Sequence, residues 1–160
     1  MNTGFRVASL ALAGALLGGC VGSPISGEGR TAPAAAISPR RMWKAYGTLS
    51  GAAKAIDGSP STAAVAGVSQ GNTDLTIDLG KACVFNLVRI DHGGDEFGFA
   101  RRVELSTSLD GESFAKVHET PGTRRATYLC PITPILARYL RLKVLVPGVH
   151  PWSVAEVTLR

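Results

Sequence analysis

Beyond Tyr46 short apolar stretches alternate with turn signals, and no window sustains a helical period for three turns, the pattern of strands rather than helices. Leu75-Thr76-Ile77-Asp78-Leu79 alternates and stops at Gly80, Val84 to Ile90 reads as one nearly continuous apolar strand, and Val103-Glu104-Leu105-Ser106-Thr107 alternates again. Asp110-Gly111 predicts a hairpin turn into Ser113 to Val117. The clearest element is Tyr139 to Val146. Leu140, Leu142, Val144 and Val146 share one face while Arg141 and Lys143 share the other, as in a half-buried antiparallel strand. In the last strand Ala155, Val157 and Leu159 face inward, opposite Glu156, Thr158 and Arg160. Seven or so such strands separated by loops predict an all-β antiparallel sandwich.

The first residues follow a different pattern. A single cation, Arg6, precedes Val7 to Leu17, which is apolar except for Ser9 and Gly14. Such a run is shorter than the roughly 20 apolar residues of a membrane span and reads as a secretion signal over residues 1–19. Leu17-Gly18-Gly19-Cys20 resembles a bacterial lipobox, which implies lipidation of Cys20. The other reading is an ordinary signal peptide with a chance cysteine behind it. Val21 rather than aspartate after the cysteine implies outer-membrane sorting if the cell is Gram-negative. The expected location is the cell envelope, with a lipid anchor. Residues 20–39 are rich in Gly, Pro, Ser and Ala and read as a flexible tether. The folded domain is expected over residues 40–160, one domain of ordinary size.

Cysteine count and charge narrow the chemistry. With Cys20 taken by lipid, Cys83 and Cys130 are an even pair in an oxidising compartment. That favours a disulfide over two separate buried thiols. No CxxC or HxxxH spacing supplies a closed zinc site. A formal charge of +5 suits anionic envelope polymers or lipid head groups more than nucleic acid, unless it is an even scatter of solvated Lys and Arg. No GxSxG elbow, HExxH helix or phosphate loop is present. Asp95 and Glu96, being adjacent, would point to opposite faces of a strand and form no glycosidase pair. The expectation is a protein that is not an enzyme.

In order, the chain carries KAIDGSPST, LTIDLG, VELSTSLDG, ARYLRL and PWSVAEVTL. Together these resemble the discoidin, or coagulation-factor type C, domains, and especially the family 32 carbohydrate-binding modules with their galactose-binding-like jelly roll. The resemblance covers roughly Trp43 to Arg160. It implies a structural calcium ion in the AIDGSPST turn, held by the carbonyls of Lys54 and Ser59, the Asp57 carboxylate, Thr62, and Ala155 with Glu156 from the last strand. Calcium's preference for six to eight oxygens, carbonyls included, suits such a set. The alternative has Asp57 capping a turn through its own side chain and Glu156 on a solvated face.

The same resemblance implies a carbohydrate site on loops at one end of the sandwich, where an aromatic ring stacks on a sugar and charged groups bond its hydroxyls. Asp91 to Phe99, Thr123-Arg124-Arg125 and Val149-His150-Pro151-Trp152 can supply these groups. The candidates are His92, Glu96, Phe97, Arg124 and Trp152, with His150 behind them. Trp152 and Phe99 have the simpler alternative of covering the core end, and Arg101 and Arg102 of facing water. Family aromatics after the AxDG turn and before the IDLG strand are replaced here by Ala64 and Asp74. The expected partner is carbohydrate or polysaccharide, the alternative a protein partner in an envelope complex.

Overall fold

The computed structural model describes residues 36–67 and 72–160; the expected signal, Cys20 and nearly all of the expected tether lie outside them. Ten strands occur among the described residues: β1 (Lys44–Gly47), β2 (Ala64–Val65), β3 (Asp74–Phe85), β4 (Val88–Asp91), β5 (Arg102–Ser108), β6 (Ala115–Pro121), β7 (Ala126–Leu129), β8 (Ile135–Val146), β9 (Ser153–Val154) and β10 (Glu156–Leu159). All pairings are antiparallel. A five-stranded sheet runs β1-β3-β8-β5-β6, a three-stranded sheet runs β10-β4-β7, and β2 pairs with β9.

The alternation in β8 does what its pattern predicts. Leu140, Leu142 and Val144 are buried, and Leu142 lies opposite Leu75 on one side and Leu105 on the other. That register lays a row of three leucines across the inner face. The facing sheet contributes Val88, Ile90, Leu129, Val157 and Leu159, and both sets belong to one core with Phe85 and Trp152. Fully burying an aliphatic or aromatic side chain of this size contributes about 1.5–3 kcal/mol. Val146, expected inside, is 41% exposed at the end of β8. The hairpin at Asp110-Gly111 joins β5 to β6 as expected. The Asp110 carboxylate accepts the N–H groups of Glu112 and Ser113 and the Ser108 hydroxyl, which hold it down at about 2.

Two expected boundaries are corrected. β3 does not stop at Gly80; it runs through it on a bulge, with Asp78 opposite Tyr139 and Cys83 opposite Ala137. Gly80 takes φ of 79° there, open to glycine at no steric cost. Asp78 pins the bulge by accepting the Gly80 N–H (2.7 Å) and the Arg138 fork (2.9 Å twice). The apolar run Val84 to Ile90 is two strands, because at Asn86-Leu87 the chain leaves one sheet for the other. Both of these N–H groups donate to the Arg160 carbonyl, at 2.8 and 3.0 Å.

The packed domain also begins before Arg40. Ser38 is buried, and the Trp43 indole N–H reaches its carbonyl and hydroxyl oxygens at 3.1 and 2.9 Å. The expected disulfide is not formed. Cys83 is a buried thiol accepting the Ser38 N–H at 3.3 Å, whereas Cys130 is an exposed thiol following β7.

Candidate functional site

The AIDGSPST stretch begins in the last residues of a 3-10 turn, Ala52–Ile56, which Asp57 caps. Asp57 Oδ1 accepts the Ser59 N–H (2.8 Å) and Oδ2 accepts the Thr62 hydroxyl (2.7 Å). These bonds, the Thr62 hydroxyl first, hold the carboxyl below its ordinary range. Glu156, at the start of β10, is nearly buried, not on a solvated face. Its Oε2 accepts the Gly58 N–H at 2.8 Å, and its Oε1 pairs with the Arg40 guanidinium. Arg40 also donates to the Val157 carbonyl at 3.1 Å and lies over the Trp43 ring.

Asp57, Ser59, Thr62 and Glu156 thus come together. Calcium takes six to eight oxygens, carbonyls included. Here both carboxylates serve N–H, hydroxyl and guanidinium donors, and Arg40 supplies the neutralising positive charge. Lys54 lies on the 3-10 turn, and the buried Ala155 precedes Glu156. Among the described residues no three His, Cys, Asp or Glu side chains group as a metal site.

Two of the expected ligand contacts are interior residues. His92 is 1% exposed. Its Nδ1–H donates to the Ser153 carbonyl (2.7 Å) and its Nε2 accepts the Thr127 hydroxyl (2.9 Å), so neither ring nitrogen is left for a ligand. Burial lowers its pKa, opposed by the Ser153 carbonyl and the carboxylates of Asp91 and Asp95. Trp152 is wholly buried in the core and presents no face to solvent. Both sit where β4, β7 and β9 converge, so they support the loop end from beneath.

The other four do gather at that end. Phe97 is 44% exposed, with the His150 ring 5.4 Å away and the Arg124 guanidinium 4.8 Å over its face. Glu96 accepts both Nε and Nη2 of Arg125, at 3.0 and 2.9 Å. Asp95 accepts the Phe97 N–H at 3.0 Å and pairs with His150 Nδ1 at 3.3 Å. Arg125 holds a positive φ of 65°, and its carbonyl accepts the His92 N–H at 2.8 Å. A strained backbone of this kind persists only where its surroundings fix it. Here it is anchored on the buried histidine and splays Arg124 and Arg125 in different directions.

Behind Phe97 lies a pocket of about 230 Å³ lined by Phe97, Phe99, Arg101, Arg124, Gly148 and Val149. Its wall depends on a close approach, since a Cβ on Gly148 would stand 2.1 Å from the Phe99 carbonyl oxygen. Phe99, Arg101, Gly148 and Val149 were not among the sequence candidates. The signal was present in Phe97-Gly98-Phe99 and Arg101-Arg102, but which of two adjacent cations faces the pocket depends on strand phase. Arg102 begins β5 and pairs with Glu119 at 3.1 Å, leaving Arg101 to the loop.

The fold has close counterparts among solved structures. CpGH89CBM32-5 from Clostridium perfringens, in complex with GalNAc-β-1,3-galactose, is 24% identical, with 76% of this chain and 96% of that one covered and a TM-score of 0.68. The family 32 carbohydrate-binding module of C. perfringens NanJ, in complex with galactose, is 22% identical over 78% of this chain and 97% of that one, with a TM-score of 0.67. The C-terminal domain of a chitobiase from Bacteroides fragilis is 19% identical over 76% and 94%, with a TM-score of 0.65. Among curated proteins none matches in sequence. The F5/8 type C domain profile matches residues 33–157, a span that begins just before the packed Ile37-Ser38 and takes in both sheets. The chain therefore belongs to the F5/8 type C, or discoidin, domain family.

Proposed function

We propose that this domain is a non-catalytic carbohydrate-binding module whose site is the loop end formed by Phe97, Arg124, His150 and the Glu96–Arg125 pair. The observation that carries the reading is Phe97 itself: a half-exposed ring at the mouth of a pocket, flanked by a guanidinium and an imidazole. An aromatic face offers the apolar side of a sugar ring a stacking surface, and the flanking charged groups give hydroxyls directional bonds. Support comes from the structural counterparts solved with galactose and with GalNAc-β-1,3-galactose. The pocket is smaller than the roughly 300–1,000 Å³ of sites for drug-sized ligands, which suits a terminal sugar. No carboxylate lines the pocket itself, and the nearby Glu96 is engaged by Arg125.

The lipobox-like Leu17-Gly18-Gly19-Cys20 supports a lipid tether holding this module at the cell envelope. Calorimetric titration of the full chain with galactose, N-acetylgalactosamine and a saccharide panel tests the site. Saturable binding weakened at least about tenfold in Phe97→Ala is expected. Absence of binding to every saccharide, or binding indifferent to Phe97, would overturn the reading in favour of a protein partner.

A further inference from the structure

The charges around this pocket do not balance. Each carboxylate at the rim is already engaged: Glu96 with Arg125, Asp95 with His150. The next cation along, Arg102, is matched by Glu119. The two guanidiniums that line the pocket, Arg101 and Arg124, are exposed, and no carboxylate pairs with either among the described residues. Arg124 rests on the Phe97 face at 4.8 Å, which orders the group while leaving its N–H edge free. Two forked donors beside two aromatic rings therefore await an acceptor that the described residues do not supply.

From this we infer that the pocket selects an acidic saccharide, one whose sugar ring carries a carboxylate, over its neutral counterpart. The inference rests on the carbohydrate-binding reading above and adds the class of sugar. A guanidinium presents parallel N–H groups that match both oxygens of a carboxylate, and the charge-assisted bonds formed are roughly twice as strong as those to a neutral hydroxyl. A ring acid seated in the pocket against Phe97 and Phe99 meets the Arg101 and Arg124 guanidiniums that line the same pocket. A neutral hexose in the same place leaves two positive charges with hydroxyls alone. Phe97 and Phe99 supply the complementary requirement, because a bare anion gains nothing from their faces.

The probes are galacturonan and alginate as their carboxylate salts, and the same polymers methyl-esterified, which removes the charge at the cost of one added methyl per ring. Full-length protein is titrated with each, alongside Arg101→Gln, Arg124→Gln and the double variant, whose melting temperatures check folding. The acid form of at least one polymer is expected to bind about tenfold or more tightly than its ester. That ratio should fall toward one in the double variant, and Phe97→Ala should weaken acid and ester together. Equal affinity for acid and ester, or a ratio unchanged in the double variant, would overturn the acid selectivity while leaving saccharide binding intact. Equal binding of polyglutamate would also overturn it, by assigning the effect to the basic surface at large. Failure of every acid, ester and neutral saccharide to bind would overturn both readings.

Discussion

At the scale of single residues, burial separates two kinds of group that look alike in the chain. His92 and His150 are both imidazoles near the loop end, yet one has both nitrogens satisfied inside and the other stands against Phe97 in solvent. Truncating Trp152, wholly buried, to alanine should cost about 3–5 kcal/mol, read by urea denaturation. Loss of sugar binding in that variant would then report unfolding and not a broken contact, whereas Phe97→Ala should change stability little. His92 gives a pH signature. Its folded pKa lies below the unfolded value of about 6.5, so the unfolded chain takes the proton first. Its contribution to stability is fully present above about pH 6.5 and is lost progressively as pH falls toward the folded pKa. Urea titrations at pH 7.5 and 5.5 should show that loss, and His92→Gln should flatten it. An equal slope in the variant would assign the effect elsewhere.

At the scale of elements, the Asp57 turn works as a clasp. Gly58 N–H and Arg40 converge on Glu156 and join the start of the domain to its last strand. Because Arg40 already supplies a cation, millimolar calcium should leave the melting temperature unchanged and chelator should not lower it; a calcium-induced rise of several degrees would show that the clasp opens to admit an ion. Arg40→Ala leaves the nearly buried Glu156 with only the Gly58 N–H, and since the pair is partly solvated the loss should be about 1–3 kcal/mol. Alternation made β8 legible in the chain, since Leu140, Leu142 and Val144 are buried between wetter neighbours, and the Asp110-Gly111 turn marked the β5–β6 hairpin. Gly80 misled because a bulge and a strand end call for the same residue, and Val84 to Ile90 because hydrophobicity does not register a change of sheet. At the site, Phe97 and Arg124 were legible as an exposed ring and cation on loops. His92 and Trp152 were not, because residue type alone cannot tell a core partner from a ligand contact. Arg40's role depends on a partner 116 residues away.

At the scale of the whole molecule, the sandwich keeps its thiols apart by burial, and that makes the redox state a test of the fold. Cys83 sits in the core with its Sγ accepting an N–H, while Cys130 is open to solvent. An alkylating reagent should therefore modify Cys130 rapidly in the native protein and reach Cys83 only on unfolding, with the delay set by the free energy of opening. Peptide mapping after a brief pulse with and without urea reads both sites separately from Cys20. Reductant should leave the melting temperature unchanged, because removing a native disulfide typically costs about 2–5 kcal/mol and none is present to remove. If Cys130 resisted alkylation until reductant was added, the two sheets would have to be covalently joined. Residues 83 and 130 would then have to lie within the roughly 4.4–6.8 Å that a disulfide spans between Cα atoms, and Cys83 would no longer be the free buried thiol that accepts the Ser38 N–H.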